Sequence, residues 1–312
     1  MSAQLARLLS KLGAQRCRPI IVASHPRSGT HLCIDTLRLN FRECRSWKRP
    51  FERADHLYVN LDELYTEDTD RCLRAVGIAG RVPRPLVKTH ALPGLAPGYW
   101  GKTRSLLHPD IVRFVQEHGA IVYPYRDGRE SLRSLYYMVE WRPSGSFASF
   151  SQFIRQRQNG MSRARIWAEH VRIWLATPNV HCLEMSQLLA RPQEVIAQLA
   201  RHLGLANEGA QLPPRCGTEM VHRLRRRLSV VPKSTAVELP PHPGKWTDVF
   251  SAADREFFHR EAGDLLIQLG FEKSDAWVGR TLDLAPIPAP SLPISQAIAA
   301  KANFRQPDAI AS

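Results

Sequence analysis

Residues suited to gripping an anion and moving a proton gather at three places in the chain. The first is Ser24-His25-Pro26-Arg27-Ser28-Gly29-Thr30-His31, between a buried-strand run at Ile20-Ile21-Val22-Ala23 and a helix with an apolar stripe. A helix start offers unpaired backbone N–H groups and the positive end of a dipole, which suits a phosphate. Gly29 lets the backbone come close to an anion, Ser28 and Thr30 add hydroxyl donors, and Arg27 adds a forked, permanent charge. The same loop reads equally well as a plain helix cap.

The second place is Lys88-Thr89-His90, after the apolar Leu86-Val87. In an open parallel sheet, ligands bind outside the carboxyl ends of the strands. A histidine there can serve as a general base because its ordinary pKa lies near neutrality; a buried histidine bonded to backbone is the competing reading. The third place runs from Tyr125 to Tyr137. Arg126 ends a strand and Ser134 lies two turns into the next helix, a pair able to clamp a second phosphate, although Arg126 by itself could be a surface arginine. The loop fails the GxxxxGK[ST] pattern, having neither the first glycine nor a lysine after Gly29. Asp127 could imitate the Mg²⁺-holding aspartate of nucleoside triphosphatases, so an ATP-dependent, kinase-like phosphoryl transferase stays in view.

The elements that must hold these groups alternate between strand and helix, which points to a parallel sheet with helices on its faces. Ala120-Ile121-Val122-Tyr123 and Val180–Met185 complete a set of four strands. Helical spacing of apolar residues recurs at Cys33, Ile34, Leu37 and Phe41; at Leu132, Leu135, Tyr136 and Val139; at Trp167, His170, Val171 and Trp174; and at Val195, Ile196, Leu199 and Leu203. Pro192 and Gly204 bracket that last helix, and Ser251 with Asp254 opens another that stops at Gly270.

The 312 residues carry 43 Lys+Arg against 29 Asp+Glu, a net +14 that favours anionic partners. The six cysteines form no CxxC pair and the histidines no HExxH, so no metal is called for, and reduced thiols in a cytoplasmic compartment are expected. No apolar run approaches the length of a membrane span. The expected organisation is an amphipathic helix over 1–18, a catalytic domain over 19–272 with a basic lid at 215–245, and a Pro/Ala-rich tail over 273–312. The cluster Arg223–Arg227 leaves a polyanion-binding protein as an alternative, while specific nucleic-acid binding is not expected.

Taken in order, these segments resemble the sulfotransferases that use 3′-phosphoadenosine 5′-phosphosulfate. His25–Leu32 matches the family's 5′-phosphosulfate loop, and Lys88-Thr89-His90 matches its Lys-Thr-His element. Arg126 with Ser134 matches its 3′-phosphate motif. Trp167-Ala168-Glu169-His170-Val171-Arg172-Ile173-Trp174 and Gly244-Lys245-Trp246 match two later elements. Arg27 stands where a lysine is usual, His31-Leu32 replace Thr-Trp, and Met185 replaces a tyrosine that contacts adenine. The Arg-Lys-Gly triplet before the last helix is not recognisable, with Lys233, His242 and Lys245 as candidates.

The resemblance implies a three-layer α/β/α fold with a central parallel sheet and a P-loop-like phosphate loop, as in sulfotransferases and nucleoside kinases. It implies transfer of a sulfuryl group from 3′-phosphoadenosine 5′-phosphosulfate to an acceptor hydroxyl or amine, without a metal. His90 would be the base, with Arg27 and Lys88 assisting catalysis. Arg27, Ser28, Gly29, Thr30, His31, Arg126 and Ser134 would bind the donor. The acceptor class, carbohydrate included, stays open, as does the oligomeric state.

Overall fold

The structure, a computed structural model, describes residues 2–14, 17–45, 57–95, 107–140, 147, 149–206 and 245–279. The Arg223–Arg227 cluster, Cys216, Lys233, His242 and all but the last residue of the expected lid lie outside the described residues, as does the tail beyond Gly279.

Five strands form one parallel sheet: β1 (Ile20–Ala23), β2 (Val59–Asn60), β3 (Leu86–Thr89), β4 (Ala120–Tyr125) and β7 (Val180–Glu184), in the order β2-β3-β1-β4-β7. A small antiparallel pair, β5 (Arg157–Gln158) and β6 (Met161–Ser162), stands apart. The helices are α1 (Ser2–Ala14), α2 (Thr30–Asn40), α3 (Thr69–Ala79), α4 (Pro109–His118), α5 (Gly128–Glu140), α6 (Phe150–Arg155), α7 (Arg163–Leu175), α8 (Met185–Ala190), α9 (Pro192–Leu203) and α10 (Ala252–Gln268).

Alternation along β1 builds three layers. Ile21 and Ala23 face a core with α1, α3–α7 and α10; Ile20 and Val22 face a second core with α2, α8 and α9. Burial on both faces is why the strand reads as a continuous apolar run. The stripes expected on α2, α7 and α9 are buried, and Leu5, Leu9 and Leu12 seat α1 against α3 and α4. The Ser251–Asp254 capping box starts α10, and Gly204 ends α9 in the left-handed conformation.

One boundary moves. The tail expected from Lys273 still contributes core: Ser274 caps a 3-10 turn, Asp275–Trp277, whose Trp277 is fully buried. Proline- and alanine-rich composition masked this single large anchor.

The chain runs from β1 to the far edge at β2, returns to β3, then crosses to β4 on the other side of β1. The carboxyl ends of β3, β1 and β4 therefore flank a topological switch point, where such sheets bind ligands.

Candidate active site

The loop after β1 turns tightly through two left-handed residues, Arg27 (φ 65°) and Gly29 (φ 96°). At Gly29 a side chain would also strike Met185, whose Cγ lies 2.7 Å from the position of an added Cβ. Glycine is required there by both conformation and space. Arg27 has no such freedom, and holding it left-handed costs on the order of 1–2 kcal/mol. Gly29 is the N-cap of α2, and no side chain caps that helix. Its first amides are thus oriented for an anion. Ser24 Oγ and Thr30 Oγ1 lie 2.5 Å apart and brace the loop from below.

The loop also docks on α5. Arg27 Nε donates to Ser134 Oγ at 3.0 Å, and Ser28 Oγ lies 3.3 Å from Ser131 Oγ. Residues 131 and 134 share a helix face, so one turn of α5 meets two consecutive loop residues. Ser134, expected beside Arg126, is in direct contact with Arg27. Arg126 is close enough to Arg27 that, after burial, its charge is the next cause holding the Arg27 pKa below the ordinary value. The two ends of the expected donor site are thus physically joined.

At the end of β3, the register pairs Ala23 with Thr89, so Ser24 and His90 emerge side by side. His90 Nδ1 lies 2.7 Å from the Ser24 carbonyl oxygen, which can only accept; Nδ1 therefore carries the proton and Nε2 is left as the basic nitrogen. Burial, then the nearby Lys88 charge, pushes the His90 pKa well below its ordinary value, so the ring is neutral at physiological pH. Lys88 is itself lowered by burial, against the opposing pull of Asp62. His31, also expected in the site, sits edge-on to Tyr58 and is lowered to about 4 by burial and by Lys88 and Arg27.

Two residues of α7 hold the segment that carries His90. His170 Nε2–H donates to the His90 carbonyl oxygen at 3.2 Å, leaving Nδ1 to accept from the Tyr123 hydroxyl at 2.8 Å. Trp174 Nε1 donates to the Ala91 carbonyl oxygen at 3.1 Å. Tyr123 stacks on both rings. The first member of that motif, Trp167, packs where a Cβ on Gly128 would come within 2.4 Å of its ring.

The β4–α5 corner is built from charge. Glu130 Oε2 accepts from Arg126 Nη2 at 3.4 Å and Arg133 Nε at 3.3 Å, while Oε1 accepts from the Trp246 backbone N–H at 2.7 Å. Arg129, 2 % exposed, binds Asp127 through both oxygens and Glu272 at 2.6 Å. Its guanidinium lies 4.0 Å from the Trp246 ring centre and 4.8 Å from that of Trp277. Asp127, which could have imitated a Mg²⁺ ligand, is thus engaged by arginine on both oxygens. Sequence spacing did not reveal Asp62, Tyr123, Arg129 or Glu130 as parts of the site; only the Arg126–Glu130 i, i+4 spacing carried a signal.

A loop ending in the uncapped amides of α2, a neutral histidine beside it and arginines at the next strand end form an arrangement suited to transferring a group from an anionic donor. The chain matches the sulfotransferase domain over residues 18–229, more than half its length, and belongs to that family. It is a sulfotransferase. A search of curated proteins finds no match. Among solved structures the chain is similar to mouse sulfotransferase SULT7A1 complexed with PAP, at 15 % identity and TM-score 0.46, covering 87 % of this chain and 92 % of that one. It is also similar to retinol dehydratase in complex with retinol and PAP, at 16 % identity and TM-score 0.43, covering 80 % of this chain and 81 % of that one. Among the described residues no helix is long and apolar enough to cross a membrane.

Proposed function

We propose that the protein moves SO₃ from 3′-phosphoadenosine 5′-phosphosulfate to an acceptor hydroxyl or amine, with His90 as general base. The observation that carries this reading is the His90 Nδ1–H bond to the Ser24 carbonyl, which ties the base to the first residue of the phosphate loop and leaves Nε2 to take a proton. As the acceptor atom attacks sulfur, the bond from sulfur to the 5′-phosphate oxygen breaks. His90 Nε2 receives the acceptor proton. The charge gathering on the departing phosphate is met by Arg27, Lys88, Ser28 and the amides of Gly29, Thr30 and His31, the preorganised charge on which such catalysis depends.

Arg126 and Ser134 take the 3′ phosphate in this reading. The Ser134 hydroxyl accepts from Arg27 yet keeps its own proton to donate to a phosphate oxygen. Reduced thiols support a cytoplasmic setting: Cys17, Cys33, Cys44 and Cys72 are free and buried, and burial pushes Cys33 and Cys44 up to about 12. The acceptor class, carbohydrate included, is best found by a donor-dependent sulfation screen.

The donor assignment is tested by thermal shift. Adenosine 3′,5′-bisphosphate at a hundred times its Kd should stabilise the protein by about 2.7 kcal/mol, and ADP should not. Equal stabilisation by the two nucleotides would overturn the roles of Arg126 and Ser134. His90→Ala should abolish transfer with bisphosphate binding nearly unchanged. Activity surviving within about tenfold, roughly 1.4 kcal/mol, would remove His90 as the base.

A further inference from the structure

Asp62 stands in the 3-10 turn Leu61–Glu63 that follows β2, at a position no motif marks. Its carboxylate reaches three consecutive residues at the end of β3. Thr89 Oγ1 donates to Oδ1 at 2.6 Å, and the His90 backbone N–H donates to both oxygens at 3.1 and 2.9 Å. Lys88 Nζ lies 3.8 Å from Oδ2. The grip extends one residue further, because Thr89 Oγ1 accepts from the Ala91 N–H at 3.0 Å.

A carboxylate holding only the backbone would be a turn cap. The lysine makes it more. Lys88 is 9 % exposed, and a buried ammonium keeps its proton only with a countercharge nearby. The titratable groups facing Lys88 are Asp62 and Glu63 from the turn after β2, His31 from α2 and His90 beyond the strand. Of these, Glu63 spends its carboxylate on Asn60 at 2.7 Å and Arg71 at 2.6 Å. Both histidines are held neutral, by burial first and then by the Lys88 charge, and supply no negative countercharge.

We propose that Asp62 is the positioning residue of the transfer site, a single carboxylate that fixes the backbone presenting His90 and holds the Lys88 ammonium beside it. The proposal rests on the donor reading above and explains how β2, two residues long at the sheet edge, serves a reaction centred on β1. It also assigns the two tasks to separable contacts: Thr89 and the His90 amide for geometry, Lys88 for charge.

The test uses the full chain with Asp62→Asn and Thr89→Val. Three quantities are read: the Kd of adenosine 3′,5′-bisphosphate by calorimetry, the pH titration of Lys88 Cε by NMR of ¹³C-lysine-labelled protein, assigned with Lys88→Met, and donor-dependent turnover. Asp62→Asn should leave the bisphosphate Kd within fivefold, lower the Lys88 midpoint by at least one pH unit and reduce kcat at least tenfold. The alkaline limb of the kcat profile should move down with Lys88. Thr89→Val should reduce kcat several-fold without moving the Lys88 titration. A Lys88 midpoint and kcat both unmoved in Asp62→Asn would overturn the proposal. Should that variant not fold, Asp62→Glu keeps the charge on a longer arm; a lowered kcat with the wild-type Lys88 midpoint is expected, and an undiminished kcat would overturn it. Wild-type protein that binds ADP as tightly as the bisphosphate would defeat the donor reading instead, and the Lys88 titration would still decide whether Asp62 holds that lysine.

Discussion

The two flanks of the site are held by opposite means. At the β3 end, neutral hydrogen bonds to backbone fix His90: its ring donates to the Ser24 carbonyl, His170 donates to the His90 carbonyl and Trp174 to that of Ala91. At the β4 end, Arg126 and Arg129 are fixed by Glu130, Asp127, Glu272 and two indole rings. The difference suits the role proposed for each flank. A base must stay unprotonated, so burial and neutral partners would serve it. Guanidinium groups keep their charge unaided, so the carboxylates at the other flank offset the cost of burying them. Among the described residues Asp62 is the one carboxylate that grips the neutral flank, and it meets His90 at the backbone N–H rather than at the ring.

The charged flank should break hardest. Arg129→Met leaves the carboxylates of Asp127 and Glu272 largely buried without their cation, and urea unfolding should register a loss of about 3–5 kcal/mol. A loss below 1 kcal/mol would mean that water reaches these groups readily. The neutral flank should fail by pH instead. Burial holds His170 at about 4 in the folded state, against 6.5 for the free side chain, and His90 and His25 lower than their ordinary value. Between those limits the unfolded chain binds the extra protons, so stability is intact above about pH 6.5 and is lost as pH falls towards 4. A melting temperature flat across that window would contradict the neutral assignment.

Smaller changes sharpen the contrast. Tyr123→Phe takes the donor from His170 Nδ1 and should cost about 1–3 kcal/mol of stability, the penalty of a buried group left without its bond. It should lower kcat more than it alters the bisphosphate Kd, because the strain passes to the His90 carbonyl. Glu130→Gln should have the mildest effect and the opposite sign. Losing the carboxylate beside Arg126 should tighten the bisphosphate about threefold, measured by calorimetry. Weaker binding would show that Glu130 is needed to aim Arg126.

Local pattern foretold α1, α2, α5, α7, α9, α10 and the four longer strands, because each is dictated by periodicity within a few residues; α3, α4, α6 and α8 were not foretold. It did not foretell β2, where Val59-Asn60 is too short to show any period, or the buried Trp277 inside a stretch whose composition suggested a tail. Of the proposed site, Arg27, Lys88, His90, Arg126 and Ser134 could be named from the sequence because each lies at a strand end, in the loop that follows it or on the next helix. Asp62 could not. Its partners lie 26 to 28 residues away, and only the sheet order β2-β3-β1 brings them together.

By itself, then, the chain's sequence determined the element pattern and the place of the loop after the first strand, both consequences of short-range spacing, while its resemblance to a family pointed to the class of chemistry. The tertiary structure decided the tautomer of His90, the countercharge of Lys88, the Arg27–Ser134 contact and the arginine–tryptophan clasp. Each of these joins residues that the chain keeps far apart, and a proton's location or a charge's partner is set by the neighbours that packing supplies.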